Sequence, residues 1–204
     1  MERSPSGIAR SIRLAREGQQ EALSDLLDAH RNYLRLLAAS CLHREMRGKA
    51  DPSDVVQVTL LKVHENFRHF RGTTEPEWMA WLRRILVRSL TDFQKGFQRH
   101  RRNVTRERSL ESDVDRSSAM LRNMIPAAGP SPSQEAQRRE GAALVADAIA
   151  ELEPEDRDVV ILRSLHELDW SAIGEKTGRS PDAARMLWAR AMQRLGGLLE
   201  GSVS

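Results

Sequence analysis

The apolar residues of this chain recur at steps of three and four and nowhere alternate with period two, which predicts helices and no strands. Between Gln19 and Leu42 the repeat runs through Leu23, Leu26, Leu27, Leu34, Leu37 and Ala38. Asp51-Pro52-Ser53-Asp54 then offers capping side chains with an early proline, ahead of Val55, Val58, Leu61 and Val63, so a helix is predicted to start there and to end near Phe70. A longer helix is predicted from Glu75-Pro76-Glu77, where acidic residues and proline suit a helix N-terminus. Its apolar stripe reads Trp78, Trp81, Leu82, Ile85, Leu86, Leu90, Phe93 and Phe97. At about 100° per residue, Arg84, Arg88 and Lys95 fall together on the opposite face.

From Val104 to about Glu140 the pattern fails, with Ser, Asp, Arg and the breakers of Ile125-Pro126-Ala127-Ala128-Gly129-Pro130-Ser131-Pro132-Ser133, and the stretch is read as a linker. Short helical segments return over 142–200, punctuated at Glu153-Pro154, Leu168-Asp169, Gly178 and Ser180-Pro181. The expectation is an all-α fold with two small helical domains, 1–102 and 141–200, joined by a flexible linker over 103–140. A length of 204 residues accommodates that division.

Composition changes this picture in two places. A single cysteine, Cys41, excludes an internal disulfide, and no stretch has a signal peptide's apolar core or the length of a membrane span, so a cytoplasmic protein without a membrane partner is expected. The net charge of +3 hides a strong segregation. Residues 83–108 carry nine basic residues against two acidic, residues 142–168 carry seven acidic against two basic, and residues 176–195 carry five basic against one acidic. Of the 32 cations only Lys49, Lys62, Lys95 and Lys176 are lysine, and arginine is the cation suited to bidentate phosphate and base contacts.

The sharpest local signal lies between Trp170 and Arg185. A helix-turn-helix needs a small residue where its helices cross, a glycine four residues later for a left-handed turn, and a small residue inside the second helix; Gly174, Gly178 and Ala184 stand at those places. Ser180 would cap the second helix, with Pro181 at its first position. In such a unit Ser180, Asp182, Ala183, Arg185, Met186 and Arg190 would face DNA. A plain helical hairpin with glycine at a cap fits the same spacing. The cationic face of the Trp78 to Phe97 helix, with the polar Gly72-Thr73-Thr74 loop before it, is a second candidate nucleic-acid surface, although charge runs are commonly solvated faces.

Signals for chemistry are poor. The chain holds no G-x-x-x-x-G-K-[ST], no G-x-G-x-x-G and no H-E-x-x-H, and the lone Cys41 and His43 pair has no partner pair to complete a zinc site. No cofactor, no metal and no catalytic residue is expected, and the protein is not read as an enzyme.

Four fragments, in order, resemble the extracytoplasmic-function group of bacterial sigma factors in the sigma-70 family. Asp54-Val55-Val56-Gln57-Val58-Thr59-Leu60-Leu61-Lys62-Val63 is similar to that group's D-hydrophobic-V-Q-E-T-F helix. Phe70-Arg71-Gly72 and Trp81-Leu82-Arg83-Arg84-Ile85-Leu86 are similar to its F-R-G and W-L-hydrophobic-R-I stretches, and the run from Glu151 to Val160 is similar to the opening of its region 4. The resemblance implies that core RNA polymerase binds through Asp54, Val55, Gln57, Val58 and Leu61. It also implies that the promoter −10 element is held by Arg71, Gly72, Thr73, Thr74, Arg84, Arg88, Lys95 and Arg99, and the −35 element by the second helix of the helix-turn-helix. Promoter DNA and core polymerase are the implied partners, with an anti-sigma factor as a further candidate. Val58 departs from the group's glutamate, Arg88 from its asparagine, Leu187 from a frequent arginine, and Arg179 from an apolar turn residue. The alternative function is a stand-alone helix-turn-helix regulator, which would need an oligomerisation surface and a two-fold operator.

Overall fold

A computed structural model describes residues 5–42, 51–97, 104–124 and 132–203. Among the described residues the secondary structure is helical: α1 (Pro5–Arg16), α2 (Gln20–Ala29), α3 (Arg31–Cys41), α4 (Pro52–Asn66), a single 3-10 turn at Phe67–His69, α5 (Glu75–Phe97), α6 (Val104–Asn123), α7 (Pro132–Glu151), α8 (Pro154–Ser164), α9 (Trp170–Thr177) and α10 (Pro181–Val203). The all-α expectation holds, and the starts of the helices at Pro52 and Glu75 fall where the capping residues put them.

The run from Gln19 to Leu42 is two helices rather than one. At His30 the backbone leaves helical geometry (φ −110°, ψ 4°), and its ring Nδ1 lies 2.7 Å from the Leu26 carbonyl oxygen. His30 is buried against Trp78, ring centroids 6.0 Å apart and nearly perpendicular. Trp78 is the centre of the first half of the chain: Phe67, Phe70 and Trp81 surround it at 6.1, 5.5 and 5.5 Å. Such offset and edge-on pairs add about 0.5–1.5 kcal/mol each beyond burial. The apolar stripe of α5 lies inward, with Trp78, Leu82, Ile85, Leu86 and Leu90 buried and Trp81 and Phe93 partly so.

The expected linker differs most from the structure. Val104–Asn123 is a helix packed on α3 and α5, and α7 begins at Pro132 rather than near residue 141. Among the described residues the large apolar anchors on the buried side of α6 are Leu110, Val114 and Leu121, with Met120 partly buried beside them, too few to register as a stripe among so many polar residues. Hydrogen bonds supply the rest. Tyr33 donates to the Ser118 hydroxyl at 2.9 Å, Ser40 donates to Ser117 at 2.9 Å, and Arg83 meets Asp115 at 2.7 Å. A helix seated by hydroxyl pairs reads as linker in a hydropathy pattern, which is why it is missed. The Ile125–Ser131 breakers lie outside the described residues.

Packing continues into the second half through α7, whose small apolar face (Ala142, Ala143, Val145, Ala146, Ile149) is buried among α3, α6 and α10, with Asn32 donating to Asp147 at 2.8 Å.

Candidate nucleic-acid and polymerase interfaces

The second half closes on the helix-turn-helix geometry. Asp169 caps α9 by accepting from the Ala172 N–H at 2.8 Å. Gly178 ends α9 with a left-handed backbone (φ 66°, ψ 32°). At Gly174 a Cβ would stand 2.6 Å from the Arg179 carbonyl oxygen and 3.2 Å from the Pro181 nitrogen, so only glycine lets the turn cross there. Ala184 is fully buried, and the Ser180 hydroxyl accepts from the Ala183 N–H at 3.2 Å. The hairpin alternative would not need this close crossing.

Along α10 the burial pattern separates two roles. Ala184, Leu187, Ala191 and Leu195 pack inward, and Ser180, Asp182, Ala183, Arg185, Met186 and Arg190 are all exposed, so the six expected residues share the solvent side. Leu187 is core, so its departure from arginine costs no surface contact. Arg179, the other departure, is turned back: it donates to Glu155 at 2.7 Å and to the Thr177 carbonyl at 3.0 Å, tying the turn to α8. Arg194 pairs with the buried Asp156 and is spent on packing.

The family described as Sigma-70, region 4 matches residues 142–195, the span just built. Across the longer range, the chain is 30% identical over 186 residues to RNA polymerase sigma factor CarQ of Myxococcus xanthus, covering 90% of this chain and 92% of that one. The chain belongs to the sigma-70 family. The protein is a sigma factor of transcription initiation. A solved structure, that of CnrH in complex with the cytosolic domain of CnrY, is 23% identical, covering 96% of this chain and 98% of that one, with a TM-score of 0.36.

In this sigma factor the α4 surface divides as the helix period requires. Asp54, Gln57, Val58 and Leu61 are exposed, at spacings of three, four and seven. Val55 is fully buried, so it is corrected from contact residue to core: one turn of α4 cannot place positions 54, 55, 57 and 58 all outward. Asp51 sets the start of this helix by accepting from the Ser53 N–H at 2.8 Å, which holds its pKa below the ordinary carboxylate value.

The loop before α5 is held from both sides. Arg16, on α1, donates to the Phe70 carbonyl at 3.1 Å and the Gly72 carbonyl at 2.5 Å while its guanidinium sits 5.6 Å from the Phe70 ring centre. Phe70 itself stacks on Trp81 at 4.8 Å. A Cβ on Gly72 would meet the Phe70 ring at 2.6 Å and Glu77 at 2.7 Å, so this glycine is required by close approach. Thr73 and Thr74 give their backbone N–H groups to Glu77, which leaves the Thr73 hydroxyl and the exposed Arg71 as the outward groups of the loop. The sequence pattern shows neither Arg16 nor Glu77 in this role. Thr74-Glu75-Pro76-Glu77 does fit the capping-box spacing, a signal that could have found Glu77; Arg16, more than fifty residues away, leaves no local trace.

Beyond the loop, Arg84, Arg88 and Lys95 are exposed on one side of α5, and among the described residues none of them has a carboxylate in pairing range. Asp92, on the same side, is taken up by Lys62 at 2.8 Å. Arg99 lies outside the described residues. Among the described residues no cluster of His, Cys, Asp or Glu suits a metal ion, and no helix is long and apolar enough to cross a membrane.

Proposed function

We propose that this sigma factor binds core RNA polymerase through the exposed face of α4, grips the −10 element with the Arg71–Thr74 loop and the Arg84, Arg88, Lys95 and Arg99 face of α5, and reads the −35 element with α10. One observation carries the reading. Among the described residues the large apolar side chains left exposed are Val58, Leu61 and Met186, 38%, 61% and 67% accessible, and each stands on a face that the family assigns to a partner. Isolated apolar side chains on a surface are ordinary; two neighbours on one α4 turn, ringed by Asp54 and Gln57, make a docking patch for another protein.

The division of labour follows: residues 1–102 for polymerase and the −10 element, 103–140 as the connection, 141–200 for the −35 element. Strand opening is assigned to the loop, where Arg71 is exposed and the half-buried Trp81 stacks on the buried Phe70, so a base leaving the duplex would find a phosphate contact and the accessible part of one ring. Polymerase performs the chemistry. Affinity for DNA falls steeply with salt, because each neutralised phosphate releases counterions. An anti-sigma factor covering the α4 patch or the α10 face would silence the protein by competition for the same residues.

The test is reconstitution. The purified protein with core polymerase from its host is expected to yield transcripts from a defined set of start sites sharing upstream sequence, and no transcripts from those sites without it. A stable dimer that shifts a two-fold operator without polymerase, and adds nothing to core polymerase, would instead establish the stand-alone regulator.

A further inference from the structure

Trp170 opens α9, outside the α10 residues assigned to DNA, yet two arginines converge on its ring. The Arg163 guanidinium lies 4.7 Å from the ring centre, and that of Arg185, on the exposed side of α10, lies 5.7 Å from it. The ring is itself fixed. Trp188, one turn beyond Arg185, meets it edge-on at 5.7 Å and 64°, and Arg163 is anchored by donating to the Leu168 carbonyl at 2.9 Å. The Asp169 cap sets the backbone immediately before it.

Arginine reads a guanine edge or a phosphate through a rigid planar fork, and its weakness as a reader is the side-chain freedom lost on binding. A ring that already holds the guanidinium in the free protein removes part of that loss, and an aromatic face attracts a cation most strongly where water is partly excluded, as beside a half-buried indole. Among the described residues Arg185 makes no ion pair, with Asp182 of the same helix or any other carboxylate, so the Trp170 ring is the contact that orients it.

We propose that Trp170 is a positioning residue for promoter recognition: its indole presents Arg185 to the −35 element and thereby sets base preference there. This rests on the reading of α10 as the −35 helix. Arg190, exposed five residues further on, has no such ring beneath it among the described residues and serves as a general phosphate contact.

The experiment uses holoenzyme reconstituted from the full chain and core polymerase, selecting bound duplexes from a library randomised across the −35 region. The wild type is expected to enrich a defined sequence. Arg185→Ala is expected to flatten the preference at one or two positions by about tenfold, the size of one lost bidentate contact. Trp170→Leu, which keeps an apolar side chain but has no π face, is expected to flatten the same positions by about threefold to fivefold, the size of an exposed cation–π contact, with Trp170→Phe close to wild type. The double variant Trp170→Leu with Arg185→Ala is expected to match Arg185→Ala alone. Equal profiles for Trp170→Leu and Trp170→Phe, or a double variant whose losses add, would overturn the proposal and leave Trp170 as packing. Absence of any enriched sequence with wild-type holoenzyme would instead strike at the −35 reading, so the two failures are distinct.

Discussion

Glu77 reaches back over the start of α5 and accepts from Thr74 twice, from its backbone N–H at 3.0 Å and its hydroxyl at 2.8 Å, while also accepting from the Thr73 N–H at 2.9 Å. A single carboxylate thus satisfies the N–H of Thr74, immediately before the helix, and fixes the loop that precedes it.

That relationship carries a sign in pH. The hydrogen bond from the Thr73 N–H, followed by those from Thr74, holds the Glu77 pKa below its ordinary 4.5. A carboxylate with a depressed folded pKa contributes stability that is present above the unfolded value and lost as pH falls through the folded one. Thermal melting of Glu77→Gln against wild type is therefore expected to show its largest deficit near neutral pH, a deficit that shrinks once pH falls under the ordinary 4.5 and closes only below the depressed folded value. A deficit independent of pH would mean that the charge plays no part in the cap.

The α4 surface gives a paired expectation. Val55→Ala removes two methyl groups from a fully buried site and is expected to lower unfolding stability by about 1–2 kcal/mol, with polymerase affinity changed only through the fold. Leu61→Asp, at an exposed position, is expected to leave stability within about 0.5 kcal/mol of wild type and to abolish capture of core polymerase in a pull-down. Loss of binding by Val55→Ala under conditions where it remains folded, with Leu61→Asp unaffected, would reverse the assignment of inside and outside.

Legibility in the sequence followed the kind of force at work. Trp78, Leu82, Leu86 and Leu90 announced their helix because apolar burial leaves a period of 3.6, and Gly174, Gly178 and Ala184 announced the helix-turn-helix because backbone geometry admits few other residues there. Val55 was misplaced because a motif names a helix and not its faces. The α6 helix was missed because Ser117 and Ser118 bury hydroxyls rather than hydrocarbon, so its attachment through Tyr33 and Ser40 has no hydropathy signature. Arg16 on the Phe70–Gly72 loop and Trp170 beneath Arg185 escaped for another reason: each is a tertiary contact between elements, made by a residue whose own neighbourhood in sequence is unremarkable.

Cys41 offers a chemical probe of opening. Burial, outweighing the Ser40 hydrogen bond, pushes its thiol from an ordinary 9.0 to about 11. At pH 8 the native protein then holds about a hundredfold less thiolate than the unfolded chain, and thiolate is the reacting form. Alkylation of the native protein is expected to be slower than that of the denatured protein by at least about that factor. Equal rates would mean that α3 opens freely around this site.

Gly174 and Gly178 separate two reasons for glycine in one motif. A methyl group on Gly178 would meet open space, so Gly178→Ala pays only for the left-handed backbone at φ 66°, about 1 kcal/mol. On Gly174 it would stand 2.6 Å from the Arg179 carbonyl, a backbone atom that no rotamer change can move. Gly174→Ala must therefore push α9 and α10 apart, at about 1–3 kcal/mol, and tilt the exposed face of α10 relative to α8. Chemical denaturation is expected to rank Gly174→Ala below Gly178→Ala, and promoter binding by the holoenzyme to fall further for Gly174→Ala than its stability loss accounts for. Equal stability of the two variants would show that the helices do not cross as closely as the Arg179 carbonyl requires.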